Sequence, residues 1–124
     1  MQGAPLTQRE LLRALQARAK TRYTAPPKLV LAFYYGWYGN PEVSGKWLHW
    51  EGVEADRKRI ASSTHYPTLG AYDSNDPKVI EQHCQWARAA GIDGFIYSWW
   101  GIDRYEEKPL PRLLDSAQKH RLKV

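Results

Sequence analysis

Cysteine is almost absent from this chain, and Cys84 stands alone. A single thiol excludes an internal disulfide framework and a cysteine-rich zinc site. Long apolar runs are missing too: the longest, Leu29 to Tyr35, falls far short of the ~20 residues a membrane-spanning helix needs. The first twenty residues carry Arg9, Arg13, Arg18 and Lys20 but no apolar central stretch, so no secretory signal is visible and the place of action stays open. Gly36, Gly39 and Gly45 match neither the dinucleotide nor the nucleotide phosphate loop, and no cofactor is expected. His65, His83 and Cys84 lack tight ligand spacing, and no metal is expected.

What is present reads as one folded body at most, since 124 residues is the size of a single domain. A composition 43% hydrophobic and 25% charged excludes a disordered chain. The formal charge of +5 invites a nucleic-acid reading until it is located. Residues 1–28 hold six cations against Glu10 alone, and residues 29–124 hold 12 basic and 12 acidic residues. The excess therefore sits on an N-terminal arm (1–28), and the body (29–124) is electrically balanced.

Within the arm, Thr7-Gln8-Arg9-Glu10 fits a capping box, with Leu6 and Leu11 placed as a hydrophobic staple. Leu11, Leu12, Leu15 and Ala19 make one short apolar stripe. A solvated amphipathic helix docking on something apolar is one reading, and a basic membrane- or RNA-binding arm is the other. Ala25-Pro26-Pro27 then gives a stiff connector.

In the body, Leu29 to Tyr34 reads as a buried strand that runs into a Gly-, Asn- and Pro-marked turn. A loop of about forty residues follows, far longer than the usual ~4–6. Trp37, Tyr38, Trp47, Trp50, Tyr66 and Tyr72 lie in it, which argues for an ordered binding loop, with a short helix expected around Val53 to Ile60. Asp76-Pro77 opens a second helix that carries Ile80, Cys84, Ala87 and Ala90 and stops at Gly91. Ile92 to Ser98 reads as the next strand, Leu110 to His120 as a third helix, and Leu122-Lys123-Val124 as the start of a third strand. Strands alternating with helices imply a parallel sheet and an α/β architecture. In such folds ligands sit at the carboxyl ends of the strands, where Tyr34 to Tyr38 and Trp99-Trp100 both fall.

Trp and Tyr rings suit stacking on sugars or bases. Nucleic-acid grooves interleave such rings with Lys and Arg, whereas Leu29 to Asp56 holds Lys46 as its only cation against Glu42, Glu51, Glu54 and Asp56. A mildly acidic aromatic cleft fits an uncharged polyhydroxyl ligand, and no nucleic acid is expected as a partner. Trp37, Trp47 and Trp86 could equally fill core. Trp99 and Trp100 are adjacent at a strand end, so one is expected to pack while the other lines the cleft. His49 is open between a substrate contact and a structural residue, and Asp73 between a turn former and a ligand to hydroxyls. Asp76 reads as a cap, and Asp93, before the second strand, as structural. A glycosidase needs two carboxylates flanking the scissile bond. No pair announces itself, because Glu106 and Glu107 diverge as neighbours and Glu51 and Glu54 sit in a loop.

Five segments in one order carry a resemblance. Residues 30–41 (VLAFYYGWYGNP), 47–50 (WLHW), 69–74 (LGAYDS), 90–94 (AGIDG) and 98–101 (SWWG) together resemble the N-terminal part of glycoside hydrolase family 99, the endo-acting α-mannosidases and α-mannanases. Gly36 departs from the Pro expected in many relatives. The resemblance implies a (β/α)8 barrel, retaining cleavage of internal α-mannosidic bonds, and an α-mannoside oligosaccharide or polysaccharide as partner. It also implies a sugar-contacting set of Tyr38, His49, Trp50 and Trp100, with Trp99 beside it and Asp73 less secure. Relatives that act on glycans are often exported or in the secretory pathway. The family's catalytic carboxylates come from later strands, and no residue of this chain matches them.

A full barrel takes ~250 residues, so this chain covers roughly the first third, stopping after about two βα units. The remainder of the barrel is expected downstream, and the piece alone is expected neither to catalyse nor to fold well. Two other readings stand beside the enzyme piece. One is a non-catalytic carbohydrate-binding or glycan-biosynthesis relative, and the other a basic-armed nucleic-acid or membrane-associated protein.

Overall fold

The computed structural model describes residues 7–20, 25 and 27–124. Helix α1 spans Gln8–Ala19, and its first turn is closed by the expected capping box. The Thr7 amide and hydroxyl donate to Glu10 Oε2 at 2.8 and 2.7 Å, and the Glu10 amide donates back to Thr7 Oγ1 at 3.3 Å. The hydroxyl and amide of Thr7 hold the Glu10 carboxyl below its ordinary pKa. The proposed staple of Leu6 and Leu11 lies outside the described side chains. Leu12 and Leu15 are each more than half exposed, so no described residue covers the stripe. No helix is long and apolar enough to cross a membrane among the described residues.

Strand β1, Leu31–Tyr34, is shorter than the apolar run that predicts it. Val30 stays just outside because its amide is taken by a side chain: it donates to Asp93 Oδ2 at 2.8 Å, while the Asp93 amide donates to Val30 O at 2.8 Å. Asp93 is thus the structural residue expected, a pin at the sheet entrance. A helix α2 (Pro41–Ser44) and two 2-residue strands, β2 (Val53–Glu54) and β3 (Arg59–Ile60), follow in the long loop. Helix α3, Pro77–Ala89, leads to β4, Gly94–Tyr97, and helix α4 covers Leu110–Lys119. Strands β1 and β4 pair in parallel, with Phe33 opposite Ile96 and Tyr34 opposite Tyr97. Lys123 makes a parallel bridge to Gly94, so the start of a third strand lies beside β4. The α/β alternation and its parallel pairing are as the periodicity predicts.

One local expectation is met only in part. The short helix in residues 53–60 is a three-residue 3-10 helix at Ala55–Arg57, and it closes an antiparallel hairpin of β2 with β3. Lys58 closes that turn at φ +49°, and the Ala61 amide ties the returning strand to Glu51 O at 2.8 Å. Two-residue strands have no periodicity to detect, and tertiary bonds decide them.

Helix α3 begins as predicted: the Asp76 carboxylate accepts from the Lys78 amide at 2.8 Å, with Pro77 at the first helical position. The core lies between the helices and one sheet face, formed by Tyr34, Ile80, Cys84, Ala87, Phe95, Leu113, Ala117 and Leu122. Tyr34 meets Phe95 edge-on at 5.0 Å, and its hydroxyl bonds His83 Nδ1 at 3.0 Å. Burial pushes the Tyr34 phenol up and the His83 imidazole down. Between α3 and α4, Glu81 accepts from Ser116 Oγ at 2.6 Å and pairs with His120 Nε2 at 2.5 Å.

The other sheet face is bare. Leu31, Phe33, Tyr35 and Ile96 share it, and Phe33 is 69% exposed. Parallel sheets are ordinarily covered on both faces. Each uncovered side chain of this size forgoes about 1.5–3 kcal/mol of burial. Beside the free edge of β1 a cavity of about 420 Å³ opens between Phe33, Tyr34, His83 and Trp86.

Two measurements follow from this packing. The 124-residue chain is expected to self-associate through the bare face, and Phe33→Asp combined with Ile96→Asp, cross-strand partners, to return it toward monomer in sedimentation velocity. An unchanged distribution would remove the bare face as the cause. Hydrogen bonds from Ser116 and then His120 bring the Glu81 carboxyl down to about 2. A folded-state value below the ordinary ~4.3 stabilises the helix pair above that pH, and the gain is lost as pH falls toward the folded value. Glu81→Gln is therefore expected to melt the helical circular-dichroism signal at lower temperature at pH 7 and to match the parent near pH 2.

Candidate functional site

The site grows from the carboxyl end of β1. Gly36 leaves the strand against the Tyr97 ring, where an added Cβ would come within 1.8 Å of the Tyr97 hydroxyl. The Tyr97 ring thus occupies the space that a side chain at residue 36 would take, and a larger residue here requires that ring to shift. Gly39 then pairs antiparallel with Leu48, amide to carbonyl at 3.1 and 3.0 Å in the two directions. That pairing lays residues 47–50 beside residues 37–39, and so brings Tyr38, His49 and Trp50 together.

Tyr38 stacks on Trp50 at 4.0 Å, and Tyr72 closes on both rings edge-on at 5.7 and 5.4 Å. The Trp50 indole N–H donates to Tyr72 O at 2.7 Å, so Trp50 is a buried backing for Tyr38, with its polar edge already used. Burial, and then the neighbouring Tyr38 phenol, push Tyr72 up to about 12. His49 is exposed and sits at φ +57°, a left-handed backbone that few residues other than glycine adopt. Its ring lies against Trp37 at 5.4 Å. Trp37 also stacks on Tyr35 at 4.6 Å and approaches Trp100 at 6.5 Å. The rings following β1 and Trp100 following β4 thus meet at one end of the sheet, as the parallel order predicts.

Not every expectation survives. Trp99 and Trp100 were to divide between packing and cleft, yet they are 53% and 69% exposed and neither packs into the core. Strand β4 ends at Tyr97, so its alternation does not extend to the pair, and Trp100 is instead braced by its indole N–H donating to Ser98 Oγ at 3.1 Å. Trp47 and Trp86 are also close to half exposed, so neither fills core. Asp73 stands apart from the rings and is 1% exposed. Its oxygens accept from the amides of Asn40 and Asn75 at 2.9 and 2.8 Å and from the Tyr105 hydroxyl. Burial pushes the Asp73 carboxyl up, but bonds from the Ser44 and Tyr105 hydroxyls and the two amides outweigh it and hold the group below its ordinary value. That is the geometry of a turn former, with each oxygen already accepting at least one hydrogen bond.

Other carboxylates have structural partners as well. Glu54 pairs with Arg57 at 3.0 Å, and Glu107 Oε2 accepts from the Asp103 amide at 2.7 Å. Glu106 is buried beneath the Tyr97 hydroxyl, which donates to its carbonyl. No group of three His, Cys, Asp or Glu side chains converges to hold a metal among the described residues. The sequence reading missed Trp37 as the centre of the ring cluster, although its place between Tyr35 and Tyr38 in the first motif marks it. It missed Tyr105 with less remedy, since a lone tyrosine in a loop carries no signal of its distant partner. An aromatic surface backed by rings and free of excess cations can hold an uncharged polyhydroxyl molecule by stacking.

Comparison with known proteins places these features. The family described as "Glycosyl hydrolase family 99" matches residues 27–124. A glycoprotein endo-alpha-1,2-mannosidase of Rattus norvegicus is 39% identical, over 77% of this chain and 25% of that protein. A glycoprotein endo-alpha-1,2-mannosidase-like protein of Danio rerio is 36% identical, over 74% of this chain and 26% of that protein. The endo-alpha-mannosidase of this family from Bacteroides thetaiotaomicron, solved with bis-tris-propane, superposes with a TM-score of 0.66 at 38% identity, covering 81% of this chain and 29% of that one. The chain spans about a quarter of the length of these curated relatives. On the motifs, the parallel βα order and the match across its whole body, the chain belongs to glycosyl hydrolase family 99.

Proposed function

We propose that this chain supplies the first βα units and the sugar-binding aromatic loops of a (β/α)8 hydrolase that cleaves internal α-mannosidic bonds with retention. The single observation that carries the reading is the ring surface of Trp37, His49, Tyr38 and Trp100, assembled at the carboxyl ends of two parallel strands. In this reading Tyr38, His49, Trp99 and Trp100 face the sugar, and Trp50 acts from behind Tyr38. No catalytic role is assigned within the chain. The two carboxylates come from strands beyond Val124, and the same strands cover Leu31, Phe33 and Ile96 as the barrel interior. The charge-balanced body favours a neutral glycan over a polyanion. Relatives named for α-1,2-mannoside cleavage make an α-1,2-linked mannobiose the first probe to use.

Intrinsic tryptophan fluorescence is expected to change on titration with α-1,2-mannobiose and not with maltose. Trp100→Ala is expected to weaken that response about tenfold, the worth of ~1–1.5 kcal/mol of ring contact. An equal response to both sugars would defeat a mannoside site. Salt-sensitive binding to DNA or anionic vesicles, lost on deleting residues 1–28, would favour the basic-arm reading instead. In the gene, an open frame continuing for some 200 residues, with two Glu at neighbouring strand ends, is expected by the barrel reading.

A further inference from the structure

Three loop segments meet at one buried carboxylate. Asp73 Oδ2 accepts from the amide of Asn40, in the turn after β1, and Asp73 Oδ1 from the amide of Asn75, just before α3. The same Oδ1 accepts from the hydroxyl of Tyr105, in the loop after β4, and that hydroxyl also bonds Ser44 Oγ at 2.8 Å. Asn40 is itself fixed at both ends of its side chain: Oδ1 accepts from the Val43 amide at 3.0 Å, and Nδ2 donates to Ala71 O at 3.3 Å.

We infer that Asp73 and Tyr105 form a positioning device that sets the loop bearing Trp99 and Trp100 against the turn bearing Tyr38. This inference rests on the sugar-site reading of those rings. The connection is short on both sides. On one side, Tyr38 lies two residues before Asn40, and its amide donates to Ser74 Oγ at 3.1 Å while the Ser74 amide donates to Tyr38 O at 2.8 Å. Residues 38–40 are therefore clamped by Asp73, Ser74 and Leu48 together. On the other side, the Tyr105–Glu107 turn is held by Asp73 and by the Tyr97 hydroxyl, five and more residues past Trp100. The Ser98 amide donates to Tyr34 O at 3.0 Å where both segments leave the sheet, but from there to Trp37 and Trp100, which approach at 6.5 Å, only ring contact joins them. The buried carboxylate is the directional tie. Hydrogen bonds to an ionised acceptor are about twice as strong as neutral ones, which suits a single residue holding three segments.

The device is separate from the core. None of Asn40, Ser44, Asp73, Asn75 or Tyr105 belongs to the cluster around Ile80 and Leu113. Loosening it should disturb the loops and leave α3, α4 and the sheet in place. Asp73 and Tyr105 therefore act on a sugar through other residues and touch none of it.

The test compares Tyr105→Phe, which removes one hydroxyl, with Asp73→Asn and the parent chain. Amide hydrogen exchange and α-1,2-mannobiose affinity from tryptophan fluorescence are read on each. Both variants are expected to exchange faster at Asn40, Asn75 and residues 98–109, to keep the protection of α3 and α4, and to bind the disaccharide about five- to tenfold more weakly. Weaker binding in Asp73→Asn alone, with loop exchange unchanged in both variants, would make Asp73 a direct sugar ligand and overturn the inference. Parent-like exchange and affinity in Tyr105→Phe would overturn it too, even where Asp73→Asn fails to fold. A parent chain that ignores mannobiose would sink the sugar-site reading separately, and loop exchange in Tyr105→Phe would then decide the tie by itself.

Discussion

Everything at the functional end of this chain depends on the parallel pairing of β1 with β4. Because Tyr34 stands opposite Tyr97, the two strands end at the same level and release their following segments toward the same side. An antiparallel pair would have sent them to opposite ends. Gly36 makes the convergence tight, since the Tyr97 ring occupies the space a side chain would take. The Asp93 carboxylate secures the other end of the pair by holding the Val30 amide. A register set at both ends brings the aromatic segments to the same side of the sheet, where the Asp73–Tyr105 tie then joins them.

The rings are held mainly by one another. Tyr38 rests on Trp50, Trp50 on a backbone carbonyl through its indole, and Trp37 between Tyr35 and His49. Such a surface stays assembled without a ligand, so little ordering entropy remains to oppose binding. His49 adds a strained backbone at the one position where the second segment turns under Trp37. Strain of that kind persists only where neighbours over-determine it, and here the Gly39–Leu48 pairing and the ring contacts do so.

Those parts of the fold that depend on local chemistry were legible before any coordinates. Thr7 and Glu10, and Asp76 with Pro77, announce helix starts through side-chain to backbone bonds a few residues long, and both are found where expected. The two strands and their parallel order also follow from apolar runs alternating with helices. The hairpin around the short 3-10 helix at Ala55–Arg57 was not legible, because two-residue strands take their stability from Glu51 and neighbouring loop backbone rather than from their own pattern. The ring motifs pointed to the aromatic surface, whereas the contacts within it stayed hidden. Trp50 and Asp73 carry side chains suited to a ligand, and only the structure shows them buried and hydrogen-bonded within the chain. The bond from Tyr105 to Asp73 spans 32 residues, a separation that no spacing rule reaches.

The bare sheet face and the ring surface are two ends of one requirement. Leu31, Phe33 and Ile96 need a covering that the described residues do not provide, and a parallel sheet finds it by gaining strands until it closes. Each added strand delivers another loop to the end where Trp37 and Trp100 lie. In the barrel we propose, the strands that satisfy the hydrophobic face are also the ones positioned to bring acidic residues to a bound sugar. The proposed division has the first units hold the substrate through apolar rings and the later ones act on it. Desolvation by the rings then strengthens whatever charge the later strands present.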